Sequence, residues 1–201
     1  MLRNILITLY YPADGYERLR RKMPYGQACI LYVCICVMTV LQVLFTHQPL
    51  ALVRPDEANL FFEICKVMVP LLTFVLVSYG MSTLNDGEAK LGAVFIGTAF
   101  SMLPYLLMTP VLITLSRILS ASDAAIYYGL SALVWAWVCF QFYRQVNILN
   151  NYTLPQTVGL IVLTLCGMLA LWALLVLLYF LSRNLFQFVQ EIWMEIYLLF
   201  N

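Results

Sequence analysis

The chain has 201 residues, of which 63% are hydrophobic and only 10% charged, with 11 Lys and Arg against 10 Asp and Glu and a formal net charge of +1. An average soluble domain is about a quarter charged, so this composition excludes a water-soluble fold, whose surface it could not cover. The near balance of charge gives no footprint for a polyanion, and no nucleic-acid partner is expected.

At the start of the chain, Leu2, Ile5, Leu6 and Leu9 repeat at helical spacing and predict an amphipathic helix over residues 1–11. Pro12 ends that pattern, Asp14 is placed to cap a second short helix, and Glu17 fits a capping box. Together these residues are expected to lie along the inner membrane surface. The basic cluster Arg18, Arg20, Arg21 and Lys22 follows, directly before a full-length apolar run. No small-residue cleavage motif is present, which predicts a retained anchor and not a removable signal.

Stretches without Asp, Glu, Lys or Arg run over residues 23–53, 67–85, 91–116, 124–143 and 145–182. Each can cross about 30 Å of hydrocarbon at 1.5 Å per residue. Backbone in lipid must satisfy its own hydrogen bonds, and no alternating strand pattern is present, so the runs are helices. The expected spans are 27–47, 65–84, 92–117, 125–146 and 156–182. The fold class is therefore an all-α, polytopic transmembrane helical bundle of one domain, with a cytoplasmic N-terminal segment 1–26, a five-span bundle 27–182 and an amphipathic helix 183–201. Orientation follows from the cations: Arg3, Arg18, Arg20, Arg21, Lys22, Lys90 and Arg144 on one side outnumber Arg54, Lys66, Arg117 and Arg183 on the other. This places the N-terminus in the cytoplasm and the C-terminus outside.

In the last segment, Leu185, Phe188, Val189, Ile192, Ile196 and Leu199 oppose Asn184, Gln187, Glu191 and Glu195. That pattern reads as an outer interfacial helix, with docking on a partner protein as the alternative. All six cysteines lie in or beside apolar stretches without a CxxC pair, which reads as buried structural thiols. His47, the one histidine, stands at a span end without a metal-binding neighbourhood, and Glu63 and Lys66 are spaced to pair on one helical face. No catalytic residue, cofactor or metal site is expected, since a buried nucleophile or base would stand out as a polar residue within a span.

The most informative segment is 82–105. Asn85, Asp86 and Gly87 form a turn signature followed by Glu88 and Lys90. Ala89, Ala93, Gly97 and Ser101 then place small side chains every four residues on one face of the third span, the geometry of close helix packing or partner binding. Pro104 and Pro110 each remove a backbone donor, and the outer half of that span is expected to kink; Tyr105 follows the first of them.

Three stretches resemble the Yip family of Ypt/Rab-interacting membrane proteins: residues 11–17 (YPADGYE), 82–88 (STLNDGE) and 99–105 (AFSMLPY). The absence of a long polar N-terminal tail is similar to the bacterial branch. The resemblance implies a five-span protein of the bacterial cell membrane that serves as a non-enzymatic accessory or scaffold. It also implies carbohydrate ABC-transporter permeases as candidate partners. Asn85, Asp86, Gly87, Glu88, Ala89, Ala93, Gly97, Ser101, Pro104 and Tyr105 are the candidate partner-binding or packing residues. A small transporter or channel built on the kinked third span is the alternative expectation.

Overall fold

The computed structural model describes residues 2–47 and 58–199, so Arg54 and the polar stretch around it lie outside the described residues. Five helices among these are long and apolar enough to span a membrane, and the chain is an all-α polytopic helical bundle. By compactness it divides into two units, Met1–Thr164 and Leu165–Asn201.

The first unit opens with α1 (Leu2–Tyr10) and α2 (Pro12–Lys22), a helical hairpin. Pro12 sits in the first turn of α2, where its missing N–H is one that no helix could satisfy. Asp14 therefore lies inside that turn and does not cap it, and the cap position falls three residues earlier, at Tyr11. The four spans within the unit follow. α3 (Tyr25–Phe45) and α4 (Leu60–Leu84) are single helices, α4 beginning on an Asn59 side chain that accepts the Phe61 and Phe62 N–H groups. The third span is divided into α5 (Leu91–Ser101) and α6 (Leu103–Ile118), and α7 (Ala124–Asn150) is the fourth.

The division of the third span falls at Met102, earlier than the expected outer-half kink. Pro104 has no N–H to bond the Phe100 carbonyl, and its ring crowds that carbonyl. The disturbance therefore lies on the N-terminal side of the proline. Pro110 is accommodated inside α6, where Thr109 Oγ1 donates to the Tyr105 carbonyl and Thr114 Oγ1 to the Pro110 carbonyl, at 2.7 and 2.9 Å.

This third span is the hub of the bundle. α5 packs against α2, α3, α4 and α7, and α6 against α3 and α7. It is 67% buried in its apolar window, whereas the other four spans are between 17% and 28% buried and turn most of their surface to lipid. The core at its centre joins Tyr16 and Leu19 of α2 with Ile35 of α3 and Ile96, Phe100 and Leu103 of the hub. Tyr16 is completely buried, so the N-terminal hairpin does not simply rest on the membrane surface: it is seated in the bundle. Of the face expected to touch lipid, Ile5 and Leu9 pack against this core and Leu6 is exposed.

Two further expectations are corrected. None of the six cysteines is buried; Cys29, Cys139 and Cys166 are exposed and the others half-buried, because they occupy outward positions of spans whose apolar surface meets lipid. The separate C-terminal helix is instead a continuation of the fifth span. The helix α8 (Leu154–Leu199) runs 46 residues without interruption, since Ser182 and Arg183 supply neither glycine nor proline to stop it. In the second unit, Leu185, Phe188 and Val189 are exposed, while the side chains of Ile192, Glu195, Ile196 and Leu199 lie outside the described residues.

The small-residue face of α5 is used inside the chain. A Cβ added to Gly97 would stand 2.8 Å from Gln145 Cγ and 2.9 Å from its Nε2. Replacing Gly97 with Leu is expected to force α5 and α7 apart at a cost of at least about 1–3 kcal/mol. Thermal unfolding in mild detergent should register this as a large drop in Tm for the leucine variant and a smaller one for Gly97→Ala.

Candidate functional site

Two polar constellations converge at the end of the bundle where α2 enters, one buried and one at its rim. The buried one is organised by α7, where Gln141 and Gln145 lie four apart on one face and are each 1% exposed. Gln145 Nε2 donates to the Val94 carbonyl and to Thr98 Oγ1, both at 3.1 Å, while its Oε1 accepts from Ser101 Oγ at 2.9 Å. A backbone carbonyl can only accept, so the orientation of this amide is fixed by its partner. Tyr16 reaches in from α2, its hydroxyl 2.9 Å from Ser101 Oγ and 3.2 Å from Gln141 Oε1. Gln141 Nε2 closes the set on the Thr8 carbonyl of α1 at 3.5 Å.

Two hydroxyl hydrogens serve this set. Ser101 shares one between Gln145 Oε1 at 2.9 Å and the Gly97 carbonyl at 3.1 Å. The Tyr16 hydroxyl donates to Gln141 Oε1, and either oxygen can supply the hydrogen of the Tyr16–Ser101 contact. Burial pushes this phenol well above its ordinary range, with the Ser101 hydrogen bond a smaller opposing effect, so Tyr16 stays a neutral donor. Among the described residues every buried side-chain nitrogen and oxygen has a hydrogen-bond partner. A second, smaller set lies further along the hub, where the Tyr105 hydroxyl donates to Gln42 Oε1 at 3.0 Å and meets Thr39 Oγ1 at 3.2 Å.

The rim constellation contains the expected turn. Asn85 caps α4, and Asp86 takes the left-handed conformation at φ 54°, which Asp tolerates better than most residues. Gly87 has no positive φ; it is needed for space, since an added Cβ would stand 2.5 Å from Asn150 Oδ1 and 2.7 Å from the Tyr152 hydroxyl. Ser82 Oγ bonds Asn150 Oδ1, and the Tyr152 hydroxyl donates to the Asn85 carbonyl at 2.7 Å. Glu88 Oε2 receives Arg20 Nη2 at 2.6 Å and Asn151 Nδ2 at 2.8 Å, tying together α2, the α4–α5 connection and the α7–α8 connection.

The structure thus gathers Asn85, Gly87 and Glu88 with Arg20, Asn150, Asn151 and Tyr152. It puts Ala89 and Ala93 in a small apolar cluster with Val75, Val94 and Leu149. Gly97 and Ser101 belong to the buried chain, and Pro104 stands at the break with Tyr105 beyond it. The face from Ala89 to Ser101 is covered by this chain's own helices and offers no free docking surface. Gln141, Gln145 and Tyr16 are not singled out by the sequence; the i, i+4 glutamine pair within the fourth span, on either side of Arg144, is the available signal. Glu63 and Lys66 do pair, at 2.7 Å, and His47 offers its backbone N–H to Ser116 Oγ at 3.2 Å. Among the described residues no three His, Cys, Asp or Glu groups are placed to hold a metal ion.

No family model, curated protein or solved structure matches the chain.

Two outcomes follow from the geometry. Tyr16→Phe removes the hydroxyl while keeping the ring, and it is expected to destabilise the bundle by about 0.5–1.5 kcal/mol, the range of single hydrogen bonds between membrane helices; a lowered Tm of the purified variant is the check. The second concerns pH. The Arg20 hydrogen bond, then that of Asn151, then the Arg20 charge hold the Glu88 carboxyl below its ordinary 4.5. A lowered carboxylate stabilises the fold above its unfolded value, and that contribution is lost as pH falls through the folded value. Acidification below about pH 4.5 should lower the protection of the α2 amides relative to their intrinsic exchange rates at the same pH, and Glu88→Gln should show lowered protection already at neutral pH while losing this pH dependence. Asp86, Glu17 and Arg21 also lie near the rim, which is why the Glu88→Gln comparison is the deciding one.

Proposed function

We propose that this protein is a non-enzymatic accessory or scaffold subunit that binds other integral membrane proteins through its fifth helix. One observation carries the reading. The 46 residues of α8 are more than twice the about 20 that hydrocarbon covers. Past the span the chain still turns apolar side chains outward, with Leu185, Phe186, Phe188 and Val189 all at least half exposed on several faces of the helix. Surface of this kind marks an interaction site. The interior supports the same reading, since its described buried polar atoms are engaged with one another and none is left directed at a substrate.

The resemblance to the bacterial Yip branch agrees with an accessory role in a cell membrane, N-terminus cytoplasmic and C-terminus outside, and makes carbohydrate ABC-transporter permeases the first partners to test. Native membranes solubilised gently should yield the chain with a membrane-protein partner, and Leu185→Gln with Phe188→Gln should release it. Recovery of a bare monomer under several mild detergents would overturn the proposal. Protease protection placing both termini on one side would overturn the layout.

A second reading, a small transporter, is favoured by the broken third span beside the Ser101, Gln141 and Gln145 network, since discontinuous helices line transport sites. Solute flux through liposomes containing the purified chain alone would establish it in place of the accessory role.

A further inference from the structure

The five cations that precede the first span within α1 and α2 are not equivalent once folded. Arg20 is committed to Glu88 and Arg21 to Glu17. Arg3 and Arg18 have no ion pair among the described residues. Both line a groove of about 490 Å3 between α1 and α2, with Tyr11, Asp14, Glu17 and Arg21 on its walls. Three guanidiniums against two carboxylates leave the groove with one positive charge, and Arg21 is already satisfied by Glu17. Arg18 is half-buried, which limits the freedom of its side chain, while Arg3 is exposed.

From this geometry we propose that the groove binds the phosphate of an anionic membrane phospholipid, Arg3 and Arg18 supplying the two guanidiniums. Guanidinium groups match phosphate oxygens in pairs of parallel hydrogen bonds. The single surplus charge matches a phosphodiester, which carries one negative charge, better than a doubly charged phosphomonoester. Position supplies the source. Only Met23 and Pro24 separate α2 from the first span, whose helix begins at Tyr25, so the groove lies at the depth of the lipid phosphates. Leu6 and Tyr10 are exposed beside it on α1 and suit the boundary with acyl chains. A zwitterionic lipid brings its own ammonium group to the same phosphate and gains less from the surplus charge.

The test is native mass spectrometry of the full chain from detergent, supplied with phosphatidylglycerol or phosphatidylcholine of identical acyl chains. The wild type should retain phosphatidylglycerol about tenfold more strongly, with the preference falling as salt rises. The double variant Arg3→Gln, Arg18→Gln should bind both lipids alike, whereas Lys66→Gln, at the opposite end of the bundle, should keep the preference. Equal retention of the two lipids by the wild type, or an unchanged preference in the double variant, would overturn the proposal. Displacement of the lipid by millimolar inorganic phosphate at constant ionic strength would do so too, by assigning the groove to a free anion. Should the double variant fail to fold, the wild-type ratio and the phosphate competition decide without it.

Discussion

Hydrocarbon offers no water to a polar side chain, and the largest buried answer to that demand is the contact of Gln145 with the third span. An amide left unpaired there would cost several kcal/mol. The bare backbone at Gly97 lets Gln145 come close enough to reach the Val94 carbonyl, Thr98 and Ser101 together. Ser101, bonded to Gln145, meets the Tyr16 hydroxyl, and Tyr16 seats the N-terminal hairpin. One close approach between two helices thereby governs the position of a third that belongs to neither.

The rim repeats this logic with charge in place of amides. Glu88 is the common acceptor for Arg20 of α2 and Asn151 after α7, so a single carboxylate ties three chain segments at the point where they leave the membrane. Exposed ion pairs of this kind contribute little individually. Their role here is geometric, fixing which arginines are committed inward and which remain available to the surrounding headgroups. The left-handed residues Met23 and Asn151 cap α2 and α7 at this same end, and left-handed Asp86 directly follows the cap of α4.

How much of this could be read from residues alone depended on the kind of signal. The spans were legible because charge is excluded from hydrocarbon, and the pairing of Glu63 with Lys66 because helical spacing is rigid. The close approach at Gly97 was legible as a small-residue periodicity, although not the helix that would fill it. The seat of Tyr16 was hidden: nothing local distinguishes a tyrosine that inserts into a bundle from one that sits at an interface, and its partners are 85 and 125 residues away. The outward cysteines misled for a related reason, since in lipid an apolar residue gains nothing by facing inward. The uninterrupted α8 was missed because amphipathic character after residue 182 suggests a change of direction that the backbone, lacking glycine or proline there, does not make.

The seating of Tyr16 also imposes an order on assembly at the ribosome. The hairpin is made before the residues that receive it, which belong to the third and fourth spans. Until synthesis has passed Gln145, α1 and α2 have no pocket to enter and must wait at the membrane surface on their own amphipathic faces. The hairpin thus emerges ahead of the first span but is locked only after the fourth, and a nascent chain stalled before the fourth span would display it undocked.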